Sequence, residues 1–293
     1  MRLQRMRTAF YIHKVLAIPG VPAELCAAIN QFMPIVQAYG QGCRVVIKSF
    51  KHSKIILQGH TNTVYSVALG THGTHVISAS RDYTARMWDL QSRCCVAHIT
   101  CDYGLSAMCL ADNGAFAATV AFDCDIKLWT PRTLQPLLTL RGHYQVVHAV
   151  AACPQSLRVA SGSMDKTVRV WHASTGECLY VLPVEATIIW CVTFSSADSS
   201  CIAAGGTEGC IYVWQHQHNV AVLRHGFTCI YDVSMADQMI ATGGSDSMLR
   251  IWDLDSGALL QVWEVQGPLL TVLLNRHSVF TSNQLHVLQQ LTF

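Results

Sequence analysis

Residues 161–179, SGSMDKTVRVWHASTGECL, hold the pattern on which the fold turns. Val168 and Val170 alternate as in a half-buried strand, Asp165 leads a tight turn, and Trp171 follows six residues on. Three further stretches share this layout: SASRDYTARMWDLQSRCC from Ser78, TVAFDCDIKLWTPRTLQ from Thr119 and TGGSDSMLRIWDLDSGAL from Thr242. The pattern is either a chemical motif used several times or a structural unit repeated to build one object.

The spacing decides for repetition. Trp88, Trp129, Trp171, Trp214 and Trp252 recur at intervals of 41, 42, 43 and 38 residues. Six positions before each stands an acid: Asp82, Asp123, Asp165, Glu208 and Asp246. Four positions before the acid comes a hydroxyl in four units, Ser78, Thr119, Ser161 and Thr242, with Ala204 in the remaining one. His60 and His143, each after a glycine, precede Asp82 and Asp165 by the same 22 residues. Around Asp165 the chain divides into four short strands, VVHAVAA, LRVASGS, VRVWH and ECLYVL, separated by Gly, Asp, Ser and Pro turns. One such meander cannot bury both faces alone; radial packing of several hides the faces and leaves only short edges.

The Gly-His, Ser/Thr, Asp and Trp-Asp spacing resembles that of the WD-repeat family of β-propellers, over roughly residues 43 to 291. The resemblance implies an all-β propeller of six or seven four-stranded blades, seven favoured, with irregular first and last blades. It divides the chain into an N-terminal segment, residues 1–42, and a propeller, residues 43–293. Within each unit it implies a hydrogen-bonded tetrad tying outer strands to inner ones. The tetrad residues are His60, Ser78, Asp82 and Trp88 in the first unit and His143, Ser161, Asp165 and Trp171 in the third. Thr119, Asp123 and Trp129 serve in the second, and His225, Thr242, Asp246 and Trp252 in the fifth.

Ser, His and Asp in one unit also suit nucleophilic catalysis. An enzyme needs that set once, at a pocket, whereas here it recurs along the chain. A structural network is the stronger reading, since every buried polar group must find a partner. Departures mark softer units. The second unit has Cys101-Asp102 where Gly-His belongs. The fourth has Glu185-Ala186 there, plus Ala204 and Glu208, and the fifth reverses the pair as His225-Gly226.

In the family the resemblance points to, partners dock on the narrow face ringed by the starts of the innermost strands. Transferred by position, that rim comprises Tyr65, Ser106, His148, Trp190 and Tyr231. The residues just before the turn acids add Arg81, Phe122, Met164, Thr207 and Ser245. The set is aromatic and weakly charged, which suits an apolar or helical segment of a partner protein. Packing into the central channel is the competing role for Trp190 and Tyr231.

Composition narrows the function. Charged residues are 13% of the 293, about half the usual share. That scarcity points to a subunit of a complex or a portion of a longer protein. A net charge of +2, with no basic run after Arg7, argues against nucleic acid. No apolar run of spanning length argues against membrane insertion. Thirteen cysteines, no Cys-x-x-Cys and no Asn-x-Ser/Thr sequon suggest reduced thiols such as Cys109, Cys191 and Cys229 within strands, in the cytoplasm or nucleus. The pairs His216/His218 and His72/His75 flank turns and find no third metal ligand. No cofactor and no catalytic residue is expected.

The chain ends set blade number. CRVVIKSF and KIILQ, residues 43–50 and 54–58, fit the third and fourth strands of a blade, and the chain from Pro268 offers three more strands. Joined, they make a sixth blade. With FYIHKVLAI and PIVQAYG as strands, the front forms its own blade and the total is seven. VPAELCAAINQFMP, residues 21–34, reads as one short helix. Its likeness to the opening of an F-box gives the alternative of a ubiquitin-ligase substrate receptor.

Overall fold

The computed structural model describes residues 35–39, 44–48, 54–69, 75–111, 115–131, 133–153, 156–185, 188–195, 200–216, 218–226, 228–265, 267–275, 278–283 and 288–292. Among them lie 26 strands and no helix, in seven antiparallel sheets. The first sheet holds β1 (Ile35–Tyr39), β2 (Arg44–Lys48) and β3 (Lys54–Gln58). The second holds β4 (Val64–Leu69), β5 (His75–Ser80), β6 (Thr84–Asp89) and β7 (Cys95–Thr100). The third holds β8 (Leu105–Leu110), β9 (Ala117–Ala121), β10 (Ile126–Trp129) and β11 (Pro136–Leu140). The fourth holds β12 (Val147–Ala152), β13 (Arg158–Ser163), β14 (Thr167–His172) and β15 (Cys178–Pro183). The fifth holds β16 (Ile189–Phe194), β17 (Cys201–Gly206), β18 (Cys210–Gln215) and β19 (His218–Arg224). The sixth holds β20 (Ile230–Ala236), β21 (Met239–Gly244), β22 (Met248–Asp253) and β23 (Leu259–Glu264). The seventh holds β24 (Leu269–Asn275), β25 (Ser278–Asn283) and β26 (Leu288–Thr292).

Within each sheet the strands pair in chain order, so every sheet is a meander. The five units that pair a turn acid with a tryptophan are sheets two to six. First strands pack in succession, β4 on β8, β8 on β12, β12 on β16, β16 on β20 and β20 on β24. β1 packs on β4 as β5 packs on β8. The first sheet therefore fills the second, third and fourth places of a blade, and the seventh fills the first three. The two ends form separate sheets, which makes seven rather than a composite sixth. The FYIHKVLAI segment and the expected helix over residues 21–34 lie outside the described residues.

A shared loop geometry produces the repeat. Between β5 and β6 only Arg81, Asp82 and Tyr83 intervene, and Tyr83 is left-handed at φ 68°. Cys124, Lys166, Gly209 and Ser247 follow the other turn acids at φ 62–68°. This is a three-residue hairpin loop with its last residue left-handed. The acid fits because its carboxylate accepts the amide two residues on, as Asp82 does from Thr84 at 2.9 Å and Asp165 from Thr167 at 3.0 Å. At Gly209 a side chain would also strike the Gly226 carbonyl, so that turn requires glycine.

The register between first and second strands skips one residue at Tyr65, Ser106, His148, Trp190 and Tyr231. A bulge leaves the extra residue outside the ladder and re-aims its side chain. The core lies between neighbouring sheets. Trp171 of the fourth sits among Val120, Ile126 and Leu128 of the third, and Trp214 of the fifth beside Val170 and Leu182 of the fourth. Small residues on the second strands permit this approach. A Cβ on Gly205 would stand 2.7 Å from Ile230 Cγ2 of the next sheet.

Candidate functional site

Two sheets carry the same four-membered network. In the second, His60 Nδ1 lies 2.8 Å from Asp82 Oδ2, His60 Nε2 lies 2.7 Å from Ser78 Oγ, and Trp88 Nε1 donates to Ser78 Oγ over 2.8 Å. In the fourth, His143, Asp165, Ser161 and Trp171 repeat it at 2.7, 2.7 and 2.9 Å. Counting hydrogens fixes the roles. The carboxylate can only accept, so Nδ1–H donates to it; in the neutral ring Nε2 is then the acceptor for the serine hydroxyl, whose oxygen accepts from the indole. Burial pushes both imidazoles below their ordinary pKa, against the pull of the aspartates. Burial would raise Asp82, but hydrogen bonds from Thr84, the Thr61 amide and His60 outweigh it and bring the carboxyl to about 2. Each pair is thus a neutral imidazole bonded to a carboxylate. Ser78 and Ser161 are fully buried, so neither hydroxyl meets a substrate in the native state.

The other sheets keep parts of the network. In the third, Trp129 Nε1 donates to Thr119 Oγ1 over 2.8 Å, while Asp123 accepts from Lys127 Nζ at 3.0 Å in place of a histidine. In the sixth, Trp252 donates to Thr242 at 2.9 Å. There Arg250 Nη1 stands 2.6 Å from Asp246 Oδ2 and 2.7 Å from His225 Nδ1, with His225 itself 3.3 Å from Asp246. Burial, reinforced by Arg250 and opposed by Asp246, lowers His225 to about 4. In the fifth, Ala204 leaves the network without its hydroxyl.

One recurrent position escaped the sequence reading. Arg86, Lys127, Arg169 and Arg250 each stand four residues after the turn acid and two before the tryptophan. Arg86 and Arg169 lie over the rings of Trp88 and Trp171, 6.0 Å from each centroid. The signal was present as a basic residue at a fixed offset; Tyr212 takes the place in the fifth sheet.

The transferred rim residues divide by environment. Tyr65, 8% exposed, and Ser106 are buried, and Ser106 Oγ donates to Val147 O at 2.9 Å in the next sheet. His148 and Trp190, half-buried in adjacent sheets, bring their rings to 4.7 Å. Tyr231, Met164, Thr207 and Ser245 are half-buried, and Arg81 and Phe122 are exposed. Among the described residues, the exposed aromatic side chains are Tyr83, Tyr103, Phe122 and Tyr144. All four sit in the motif turns and the adjoining loops of sheets two to four. Backbone bonds tie these segments together, from Cys101 N to Tyr83 O at 2.8 Å and from Phe122 N to Gly104 O at 3.3 Å. Three of them were missed, although each flanks a residue of the repeat pattern: Tyr83 after Asp82, Tyr103 after Asp102 and Tyr144 after His143.

No group of three or more His, Cys, Asp or Glu among the described residues is placed to hold a metal ion. The described cysteines are free thiols; Cys109 and Cys191 are buried, whereas Cys229 is half-buried and precedes β20. No described helix is long and apolar enough to cross a membrane.

Seven consecutive meanders, four of them fastened at an Asp turn, define a β-propeller built from tryptophan-bearing repeats. The WD domain, G-beta repeat family matches residues 51–89, 134–172, 176–215 and 218–253, more than half of the chain, and the protein belongs to that family. Relatives include the DENN domain and WD repeat-containing protein SCD1 of Arabidopsis thaliana, 25% identical over 216 residues, 71% of this chain and 18% of that protein. The nuclear distribution protein nudF of Aspergillus niger is 26% identical over 279 residues, 82% of this chain and 60% of that one. The chain thus spans about a fifth to three fifths of the length of these relatives. The crystal structure of the computationally designed Ika8 protein shares the fold, with a TM-score of 0.75, 20% identity, and coverage of 89% of this chain and 81% of that one.

Proposed function

We propose that the protein is a non-catalytic interaction scaffold that receives an apolar segment of a partner protein at the end of the propeller bearing the motif turns. The observation that carries this reading is the collection of exposed aromatic side chains there, Tyr83, Tyr103, Phe122 and Tyr144, together with Arg81 of the first motif turn and His148 at the start of β12. Aromatic residues bury much area at low entropy cost and are over-represented among binding hot spots. The tetrads serve as fasteners, since their hydroxyls are sealed. Free thiols and the absence of a sequon favour a reducing compartment, the cytoplasm or nucleus, and the +2 net charge favours protein over nucleic acid as partner.

The test compares partners co-purified with wild type and with a Phe122→Ser, Tyr144→Ser variant of unchanged thermal stability. Both side chains are exposed, 42% and 69%, so their loss leaves the core intact. Loss of specific partners from the folded variant supports the reading. An identical partner set moves the site away from this end.

A further inference from the structure

The turns between third and fourth strands lie at the end of the molecule opposite the motif turns. In four sheets that turn supplies an apolar residue packed with the sheet's own tryptophan. Leu90 joins the cluster of Trp88, Leu134 that of Trp129, Ala173 that of Trp171 and Leu254 that of Trp252. In the fifth sheet β18 ends at Gln215 and β19 begins at His218, so Trp214 is followed by Gln-His-Gln-His and no apolar residue. Ala204 also removes the hydroxyl to which the other four tryptophans donate. What remains is a cleft between the fourth and fifth sheets, with Trp214, Val170, Leu182 and Ile202 as its apolar lining.

Arg158, Ser200, His216 and the half-buried Tyr180 complete that lining, and no acid lines the cleft among the described residues. His216 is exposed, Ser200 Oγ lies 3.3 Å from His216 Nε2, and Arg158 makes no ion pair within the described residues. We propose that this cleft binds a leucine-type side chain of a partner protein whose neighbouring residue carries a carboxylate. The apolar half of that ligand follows from the repeat itself, because an aliphatic residue is what the equivalent sites of the other sheets receive from their own turns. The acidic half follows from charge, since a guanidinium takes a carboxylate through paired, charge-assisted hydrogen bonds. The cleft is separate from the aromatic end and does not depend on binding there.

The test titrates two capped peptides, acetyl-Gly-Leu-Glu-Gly-amide and acetyl-Gly-Leu-Gln-Gly-amide, into 15N-labelled protein and follows the Trp214 indole N–H resonance. The expected result is a saturable shift with the Glu peptide and at least about tenfold weaker binding of the Gln peptide, the loss of one charge-assisted contact. In an Arg158→Gln variant the two peptides become equivalent, while exposed His216→Asn weakens only the Glu peptide. No saturable shift at Trp214, or equal affinity of wild type for both peptides, overturns the proposal. The wild-type comparison stands alone if Arg158→Gln fails to fold.

Discussion

His143 shows what one residue of the repeat contributes. Its ring bridges Asp165 and Ser161, and the serine in turn holds the Trp171 indole. His143→Ala leaves a buried hydroxyl and a buried carboxylate short of partners, a loss of about 1–3 kcal/mol. Lys127→Ala in the third sheet removes a contact to Asp123 that is partly solvated and costs less. Denaturant unfolding of the two variants ranks them, and equal losses would contradict the burial argument. The same residues set an acid limit. Burial holds the folded pKa of His60 and His143 below 6.5, and that of His225 at about 4. The unfolded state then binds more protons between those values, and stability falls as pH drops below about 6.5. Asp82, lowered from 3.8 to about 2, adds a second loss over that lower window. As pH is stepped from 7.5 through 6 to 5, wild type is expected to lose stability relative to His60→Ala, His143→Ala protein, a difference that isolates the histidines from the other titrating groups.

At the scale of strands and sheets, fastening is unequal, and softness should follow it. The second and fourth sheets have full networks, the third and sixth substitute Lys127 and Arg250, and the fifth lacks the hydroxyl. The fifth also has a short turn of polar residues where its neighbours place a packed one. Hydrogen exchange is therefore expected to be faster across β18–β19 than across β14–β15, since local opening follows local contact. Equal protection of the two hairpins would show that sheet packing alone sets local stability. A second consequence concerns the small residues of the second strands. Gly205→Ala sets a methyl 2.7 Å from Ile230 Cγ2 and 3.1 Å from Cys191 Sγ, an overpacking cost of about 1–3 kcal/mol. Combining it with Ile230→Ala removes the Cγ2 methyl that the new side chain would meet, and a double-mutant cycle is expected to give a coupling that recovers part of the loss. Strict additivity would refute the contact.

Sequence legibility divides at this same scale. Hairpins between second and third strands were readable because their loops are fixed by an acid and a left-handed residue at set offsets. Rim positions were readable as positions, because the bulge falls on the residue after the first apolar one. Their burial was not: the depth of Tyr65 or Tyr231 depends on the neighbouring sheet, and no spacing within one unit encodes it. The cleft beside Trp214 was equally hidden, since residues of two neighbouring sheets line it and no spacing within one unit encodes that.

The whole molecule depends on bonds between sheets, and one of them titrates near neutrality. On β4, Ser66 Oγ donates to Met108 O of the next sheet over 3.2 Å. At the matching place on β20 stands Asp232, whose Oδ2 accepts from Val272 N of β24 at 2.9 Å, joining the sixth and seventh sheets. Protein surrounds the carboxyl even though part of the residue still reaches solvent. That burial raises it to about 7 against the pull of the Val272 and Val233 amides. A carboxyl with a folded pKa above its unfolded value of 3.8 opposes folding as it ionises. Stability is therefore lost as pH rises from 3.8 through about 7, opposite in sign to the histidines. Asp232→Asn keeps an oxygen for Val272, gives up the bond that the other oxygen accepts from Val233 N, a loss common to both pH values, and removes the charge. Its melting temperature is expected to exceed wild type by several degrees at pH 8, at roughly 2–4 °C per kcal/mol for a chain of this order, and by much less at pH 5. If the substitution changes the melting temperature equally at both values, the charge is already relieved by solvent. In that case the joint between sixth and seventh sheets is an ordinary hydrogen bond with no dependence on pH.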